Sequence, residues 1–332
     1  MKKETLSTIA SRTGYSITTV SRVLSGNSAK YRISDKTAEA ILSEARSCGY
    51  KPSSIAQNVR KNTTKTIGLL LPSISNPYFA EMAGVIIAEL DKFGFMTIVI
   101  DTMESELRML DYSKILIQRN VDGLIVAPCG DNPVALERID MDIPVVLVDR
   151  YYPNTSLSYV TSNNYRASYL ASELMISKGY KDIACIQGEL SSTPNTERVK
   201  GYMDAMKDAN LEHMIRVVGD EFSVQNGYLE ANLLISDKRP QAIFALSNTI
   251  MLGSLKAIRE VGLKIPEDIA LLSFDDNLYM EYMTPVITRV SQPVEDMAKL
   301  AVKILLDKVN NSHKINYSQL RLSPVIVYGG SI

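Results

Sequence analysis

Apolar residues recur at helical spacing in three short runs within the first fifty residues. Thr5, Ser16 and Ser34 are candidate N-caps for these runs, Gly14 provides a tight turn between the first two, and Gly49 ends the third. Two short helices joined by a glycine-containing turn form a helix-turn-helix, and a third helix closes a small core. The predicted inward residues are Leu6, Ile9, Ala10 and Thr13, then Val20, Val23 and Leu24, then Ala38, Ile41, Leu42 and Ala45.

A different pattern begins at Lys65, where short β-branched runs alternate with amphipathic helical runs. Runs that are apolar on both faces and separated by helices indicate parallel sheets covered on both sides. Seven such runs are more strands than we expect in one sheet. We therefore expect two similar α/β lobes, which divide near Tyr159 and enclose a cleft between them. The predicted strands are TIGLLLPS, FMTIVIDT, VDGLIVAP, PVVLVD, DIACIQG, AIFALSN and DIALLSFDD.

The pattern therefore predicts a small all-α helix-turn-helix head and an α/β body of two doubly wound parallel-sheet lobes. The head spans 1–50, a hinge spans 51–65, and the body spans 66–332.

Charge separates the same two regions. The chain has 36 Lys and Arg against 37 Asp and Glu, a net charge of −1. Residues 1–65 hold 12 of the basic and 4 of the acidic residues, a net of +8, which leaves −9 on the remainder. A basic head on an acidic body favours a polyanionic partner for the head, although N-terminal regions are also basic by chance.

Composition argues against several other classes of protein. No apolar run reaches the length of a membrane span, and no signal-peptide core follows the first lysines, so we expect a cytoplasmic protein without a membrane partner. Cys48, Cys129 and Cys185 are far apart, and only two histidines are present, so we predict no disulfide framework, metal site or cofactor. Phosphate-loop, dinucleotide and nucleophile-elbow motifs are absent from the sequence, so we expect no catalytic residues and no enzyme.

The second predicted helix, within SITTVSRVLSG, has an unusual outer face of short hydroxyls and one arginine. In a major groove, Arg22 can bond guanine with two hydrogen bonds, Thr18 can reach base edges, and Ile17 can contact a thymine methyl. Ser16, Thr19 and Ser21 are expected to reach phosphates, Ser21 from the same outer face. A generic capped helix would explain the core but not this outer face.

Other residues extend the predicted DNA contact. Thr5 and Asn27 flank the helices, and Tyr31 lies in a loop where it either meets phosphate or remains a solvated surface residue. In the hinge, Ala56 and Val59 belong to a short apolar stripe that buries too little to hold a helix alone. Paired with a second copy in a minor groove, the stripe becomes a wedge; otherwise the hinge is a plain linker.

In the body, polar residues follow several predicted strands. Asp149, Asn248 and Asp275 can hydrogen-bond a ligand beyond the strand ends, and Tyr78, Phe79 and Phe222 offer flat apolar surfaces. Taken singly, such Asn and Asp residues are turn or cap residues. Together with aromatic platforms, they suit a polyhydroxylated ligand such as a sugar.

Four stretches, LSTIASRTGYSITTVSRVLSG, KPSSIAQNVR, TIGLLLPSISNPYFAEM and PEDIALLSFDDN, resemble the LacI/GalR family of bacterial transcription regulators over essentially the whole chain. The resemblance implies a repressor that binds palindromic operator DNA as a homodimer and responds to a sugar or sugar derivative. It also implies that Ile17, Thr18 and Arg22 are base readers, and that Val59 stands where the family's hinge usually inserts a Leu.

The resemblance also assigns roles in the body, which is similar to periplasmic sugar-binding proteins. Tyr78 and Phe79 look like the first-lobe ligand wall, Arg198 like the arginine that clamps the ligand, and Asp275 like the second-lobe acceptor. Ser73, Asn163 and Asn248 are included in the implied effector site. Ser162-Asn163 and Ser247-Asn248-Thr249 each lack a carboxylate that the family usually has there.

The family's architecture implies lobe 1 over about 66–160 plus 290–320 and lobe 2 over about 161–289 plus 321–332. The chain shows no leucine-heptad tail, which favours a dimer over a tetramer. Two alternatives are a solute-binding protein of the transport type and a sugar hydrolase or kinase. The first requires a signal peptide and no basic head, and the second requires a nucleophile, phosphate loop or paired acids.

Overall fold

The computed structural model describes residues 4–50, 63–310 and 317–332. The chain divides into two units, Met1–Thr64 and Lys65–Ile332. Among the described residues, the first unit is helical and the second contains both helices and strands.

The small unit is the predicted three-helix head. Thr5, Ser16 and Ser34 cap its helices, and each side-chain oxygen accepts a hydrogen bond from the backbone N–H three residues later. Gly14 ends the first helix at φ 73°, a left-handed conformation that favours glycine. The helices are α1 (Leu6–Thr13), α2 (Ile17–Leu24) and α3 (Asp35–Ser47).

One apolar cluster holds the head together. Leu42 was predicted to point inward, but its side chain is 41% exposed. Ile41 and Ala45, four residues apart, already form the stripe that three short helices can cover, and Leu42 lies about 100° around the helix from Ile41. The buried residues of the cluster are Ile9, Ala10, Val20, Val23, Ile41 and Ala45.

The large unit alternates strands and helices, as the pattern from Lys65 predicts. Its strands are β1 (Thr66–Leu71), β2 (Met96–Asp101), β3 (Gly123–Val126), β4 (Val145–Val148), β5 (Ser158–Ser162), β6 (Ile183–Ile186), β7 (Arg216–Val218), β8 (Ala242–Ala245), β9 (Ala270–Phe274), β10 (Thr288–Ser291), β11 (Gln319–Leu322) and β12 (Val325–Val327). Its α-helices are α4 (Pro77–Lys92), α5 (Glu106–Gln118), α6 (Val134–Asp142), α7 (Asn164–Ser177), α8 (Thr193–Asp208), α9 (Val224–Lys238), α10 (Asn248–Glu260) and α11 (Val294–Asn310).

These strands form two six-stranded sheets. The first lobe is built on the sheet β11-β5-β4-β3-β1-β2, in which every neighbouring pair is parallel. The second lobe is built on the sheet β12-β10-β9-β8-β6-β7, which is parallel except for the pair β10 and β12. The predicted pair of doubly wound lobes is confirmed, with one antiparallel edge.

Helices cover both faces of each sheet. In the first lobe, α4 and α11 bury one face, while α5 and α6 bury the other. In the second lobe, α9 and α10 cover one face, and α7 and α8 cover the other. Burial on both faces explains why strands such as β4 and β8 are apolar throughout.

All seven predicted strands are present, and five further strands lacked a clear apolar pattern. The missed strands are β5, β7, β10, β11 and β12, which are short or contain several polar residues.

The sheets to which these strands belong also fix where the chain crosses between lobes. Because β5 and β11 belong to the first sheet and β10 to the second, the crossings follow Ser162, Ser291 and Leu322. Each lies slightly beyond the predicted boundary.

Candidate functional site

The outer face of α2 is available for contact. Ile17 is 51% exposed, and Thr18 and Arg22 are also exposed. These are the three residues predicted to read bases. Ser21 differs from the prediction, because it is 8% exposed and lies on the buried side of the helix. The helical period places Ser21 next to Val20, which is fully buried. The Ser21 hydroxyl therefore does not extend from the outer face of the helix.

The predicted phosphate contacts at the helix starts are cap residues. Ser16 Oγ accepts from Thr19 N at 3.1 Å and lies 2.9 Å from Thr19 Oγ1. Thr5 forms a capping box with Thr8, in which each side-chain oxygen accepts from the other's backbone N–H. These hydroxyls mark helix N-termini, where backbone N–H groups also favour phosphate.

Asn27 and Tyr31 lie in the loop between α2 and α3. The Asn27 side chain donates to Ser25 O at 3.2 Å. Tyr31 is 44% exposed, and the guanidinium carbon of Arg22 lies 4.0 Å from the centre of its ring. The predicted hinge contacts, Ala56 and Val59, lie outside the described residues.

A second candidate site lies in the large unit, in a cleft between the two sheets at the carboxyl ends of their strands. The cavity volume of this cleft is about 20 Å³. Both lobes contribute to its walls. The lining residues are Asn76, Tyr78, Phe79, Asp149, Arg150, Ser192, Pro194, Arg198, Phe222, Ser247 and Asp275.

Asp149 follows β4 and is the acceptor on the first-lobe wall. Its side chain is buried, and Tyr78 Oη donates to Asp149 Oδ1 at 2.7 Å. Burial raises the pKa of Asp149, while the nearby Arg198 and Arg150 guanidiniums oppose the rise. Burial and the Asp149 charge also raise the pKa of Tyr78 well above its usual value, so the Tyr78 hydroxyl keeps its proton as a donor.

Asp275 follows β9 and is the acceptor on the second-lobe wall. Gln292, in the crossing segment after β10, donates through Nε2 to Asp275 Oδ1 at 2.6 Å. Burial raises the pKa of Asp275, and Arg198 and the Gln292 hydrogen bond oppose that rise. The two carboxylates, one from each lobe, therefore face a shared cleft.

Arg198 projects from α8 and is buried. Its Nε donates to Asn164 Oδ1 at 2.8 Å, and its Nη1 donates to Leu246 O at 2.8 Å. Its Nη2 lies 3.8 Å from Asp275 Oδ1, and the guanidinium lies 3.7 Å from the centre of the Phe274 ring. Arg198 is thus oriented by the second lobe and keeps part of its donor set toward the cleft.

Arg150 is a second buried guanidinium in the cleft. Glu104 pairs with it through two hydrogen bonds of 2.6 and 2.8 Å. The Arg150 guanidinium carbon also lies 5.7 Å from the ring centres of both Phe79 and Phe222, one ring from each lobe. The positive charge of Arg150 is therefore largely balanced by Glu104.

Three residues of the predicted effector site lie elsewhere. Ser73 points its hydroxyl to Ser75 Oγ at 3.0 Å and does not line the cleft. Asn163 caps α7 by accepting from Arg166 N at 3.1 Å, so its amide faces its own helix. Asn248 is fully buried behind the wall, where its Nδ2 donates to Asn277 Oδ1 at 2.7 Å.

Other cleft residues were missed by the sequence-based prediction. Arg150 directly follows Asp149, and that adjacency was its only local signal. Asn164, next to the predicted Asn163, orients Arg198. Glu104 and Gln292 reach the site from distant parts of the chain, so no local pattern could identify them.

Within the described ranges, no group of three or more His, Cys, Asp and Glu side chains is arranged to hold a metal ion. Nor does any described helix combine the length and apolar character that a membrane crossing requires.

Comparison with known proteins identifies both units. Residues 5–53 match "Bacterial regulatory proteins, lacI family", and residues 173–332 match "Periplasmic binding protein-like domain". The ribose operon repressor of Haemophilus influenzae is 31% identical over 333 residues, covering 99% of this chain and 98% of the relative. The chain belongs to the lacI family of bacterial regulatory proteins. The regulator DegA of Bacillus subtilis is 33% identical over 302 residues, 89% of this chain and 88% of DegA.

Solved structures of lacI-family proteins agree with this fold. A LacI family regulator from Enterococcus faecium with bound ribose has a TM-score of 0.73 and 26% identity, covering 80% of this chain and 98% of that one. The lac repressor dimer bound to operator and the anti-inducer ONPF has a TM-score of 0.88 over 99% of both chains. At 22% identity, the second likeness concerns the fold alone.

Proposed function

We propose that this lacI-family protein is a ligand-responsive transcriptional repressor. It binds a palindromic operator as a homodimer, and a small sugar or sugar derivative in the cleft alters its affinity for DNA. The observation that carries the proposal is the presence of two sites in one chain: an exposed α2 face with Ile17, Thr18 and Arg22, and a cleft with carboxylate, guanidinium and aromatic groups from both lobes.

On the DNA side, α2 is the recognition helix. The residues at its start face outward for base edges, and the caps of α1 and α2 bring backbone N–H groups to where phosphates lie. Two copies of the head read the two halves of a palindrome, because operator symmetry follows the two-fold symmetry of a dimer. A chromosomal target in a bacterium also means a cytoplasmic location.

On the ligand side, the cleft suits a neutral polyol. Asp149 and Asp275 can accept hydroxyl hydrogens, Arg198 can donate to hydroxyl or ring oxygens, and the Phe79 and Phe222 rings can flank a sugar face. Because Glu104 balances Arg150, the cleft has no surplus positive charge for a phosphate group. The ribose bound by the Enterococcus faecium relative makes ribose the first sugar to test.

Ligand binding and DNA binding are coupled through the lobes. A ligand held by both Asp149 and Asp275 favours one arrangement of the lobes over another, and this preference is passed on to the paired heads. A coupling of about 1–3 kcal/mol is enough for a switch. The cleft has a binding role in this proposal and is assigned no reaction, in keeping with relatives that are regulators.

The test begins with selection of bound sequences from a library of random DNA duplexes by the full-length protein. We expect the selected sequences to share a palindromic consensus. We also expect calorimetry to show that ribose or a related neutral sugar binds the protein, and that this sugar shifts the affinity for the operator. Ribose 5-phosphate should bind more weakly than ribose. Failure to enrich any sequence, with and without sugars, contradicts the regulator proposal; enrichment without a sugar response contradicts only the effector assignment.

A further inference from the structure

The loop between α2 and α3 places an aromatic ring against the predicted base reader. The guanidinium carbon of Arg22 lies 4.0 Å from the ring centre of Tyr31, and Lys30 Nζ lies 5.9 Å from the same centre. A guanidinium at this distance from an aromatic face is held by a cation–π interaction. Tyr31 therefore contacts the side chain of Arg22 in the protein alone.

Backbone hydrogen bonds fix the loop that carries Tyr31. Asn27 N donates to Arg22 O at 3.0 Å, and Tyr31 N donates to Asn27 O at 3.2 Å. Gly26, at φ 71°, takes the left-handed conformation that allows the chain to turn back after α2. The backbone of Tyr31 is thus connected to the backbone of Arg22 through two hydrogen bonds.

The far end of the loop is also anchored. Ile33 N donates to Ser28 O at 3.0 Å, and the Ile33 side chain packs against the apolar core of the head. The loop backbone that carries Tyr31 is therefore held at both ends in the protein alone.

We propose that Tyr31 is a positioning residue that orients the Arg22 guanidinium for base reading. The inference rests on the proposed function, since it requires an operator. A ring covers the flat face of a guanidinium and leaves its N–H donors free in the plane, where two of them can meet guanine O6 and N7. Within the part of the chain that the structure describes, no acceptor side chain pairs with Arg22 and competes for these donors.

This role differs from a phosphate contact by the Tyr31 hydroxyl. A phosphate contact needs the hydroxyl and adds affinity for any duplex. Positioning of Arg22 needs only the ring and adds affinity where the correct base is present. Tyr31→Phe keeps the ring and removes the hydroxyl, whereas Tyr31→Ala removes both.

The experiment uses full-length protein and the operator selected from random duplexes. The Arg22→Ala variant first identifies the base pair whose preference it relaxes. We then compare three proteins: wild type, Tyr31→Phe and Tyr31→Ala. The affinity of each is measured for the operator, for the operator changed at that base pair, and for a random duplex. Each measurement is repeated over a range of salt concentrations.

We expect Tyr31→Phe to match wild type. Tyr31→Ala should lose about 2- to 5-fold in operator affinity and the same factor in preference at the Arg22 base pair, because exposed cation–π contacts are modest. Its affinity for random DNA and its salt dependence should stay unchanged. As a control, Lys30→Ala tests a simple phosphate contact, which would weaken operator and random DNA alike and reduce the salt slope by about one.

A double-mutant cycle completes the test. If Tyr31 acts through Arg22, then Tyr31→Ala has no further effect when Arg22 is already Ala. Additive losses overturn the inference, as do equal losses for Tyr31→Phe and Tyr31→Ala or an unchanged base preference in Tyr31→Ala. If wild type selects no operator, the proposed function fails first, and that result is distinct from all of these.

Discussion

The guanidinium of Arg198 is held from several sides by its own lobe. Asn164 and the Leu246 carbonyl each accept one hydrogen bond, and the Phe274 ring covers one face. The remaining donors point toward Asp275 and the cleft. Such a fork is oriented before any ligand arrives, so little side-chain entropy is lost on binding.

Arg198→Lys should therefore weaken effector binding strongly without disturbing the head. A lysine keeps the charge but cannot make the fork of hydrogen bonds, and charge-assisted bonds of this kind contribute about 1.5–3 kcal/mol each. We expect at least a tenfold loss of sugar affinity by calorimetry, with operator affinity in the absence of sugar unchanged. Arg259→Lys, at an exposed position of the same lobe, is the matched control. Wild-type sugar affinity in Arg198→Lys would refute the clamp role.

Asp149 gives a pH-dependent prediction. Burial raises the pKa of Asp149 in the folded protein above its unfolded value, so the charged carboxylate costs stability at neutral pH. As the pH falls through the raised pKa, the folded state takes up the proton first and wild type gains stability. The gain is complete below the unfolded pKa of about 3.9.

An Asp149→Asn variant cannot titrate at this position. The free energy of unfolding of wild type, measured in urea relative to that of this variant, should therefore rise as the pH is lowered from neutral toward the unfolded pKa. A difference that is constant or that moves in the opposite direction would show that the Asp149 pKa is not raised.

At the scale of elements, the second lobe depends on a close approach of two helices. A Cβ on Gly227 of α9 would lie 2.1 Å from Ile250 O, and a Cβ on Gly253 of α10 would lie 2.1 Å from Val224 O. Each glycine thus meets the backbone of the other helix. Backbone atoms cannot rotate away as a side chain can, so the helices would have to separate.

Gly253→Ala should accordingly destabilise the large unit, by about 1–3 kcal/mol for an overpacked contact. Gly84 in α4 is the matched control, because no atom lies within 4 Å of its Cβ position and alanine favours a helix by about 0.5–1 kcal/mol. The urea concentration at the midpoint of unfolding should be lower than in wild type for Gly253→Ala and slightly higher for Gly84→Ala. Equal midpoints would mean that the two helices can separate at no cost.

At the scale of the whole large unit, a group of hydrogen bonds around Glu197 forms a bridge between the two lobes. Glu197, on α8 of the second lobe, accepts from Tyr151 Oη at 2.7 Å and from Arg321 Nη1 at 3.1 Å. Both partners belong to the first lobe, and Arg321 Nη2 also donates to Tyr151 Oη at 2.6 Å. Because Glu197 precedes Arg198, the bridge and the clamp lie on one turn of helix.

Glu197→Gln should loosen the lobes while preserving side-chain size. The amide loses the charge that pairs with Arg321, so we expect a larger radius of gyration by X-ray scattering without ligand and faster dissociation of the bound sugar. Glu212→Gln, at an exposed position of the same lobe, should behave as wild type. If the two variants have the same radius of gyration and the same rate of sugar dissociation, the bridge does not stabilise the arrangement of the lobes.

The sequence by itself determined the elements and the order in which they occur. These elements are marked by local patterns that can be recognised in the sequence alone. Examples are caps such as Ser16, the helical spacing of Val20 and Val23, and strands that are apolar on both faces. They were sufficient for the three-helix head, the two parallel-sheet lobes and the outer face with Arg22. They failed where a residue's surroundings decide, as with Ser21 and Leu42.

Only the tertiary structure decided which side chains share the cleft. Asp149, Asp275 and Arg198 come from strand ends and a helix far apart in sequence, and Glu104 and Gln292 meet them only after the sheets are assembled. The same packing assigns Asn164 to Arg198 and leaves Asn163 as a cap. Local sequence sets backbone preference over a few residues, whereas contacts between distant segments depend on how sheets and helices pack, and this is why the site could be predicted only in part.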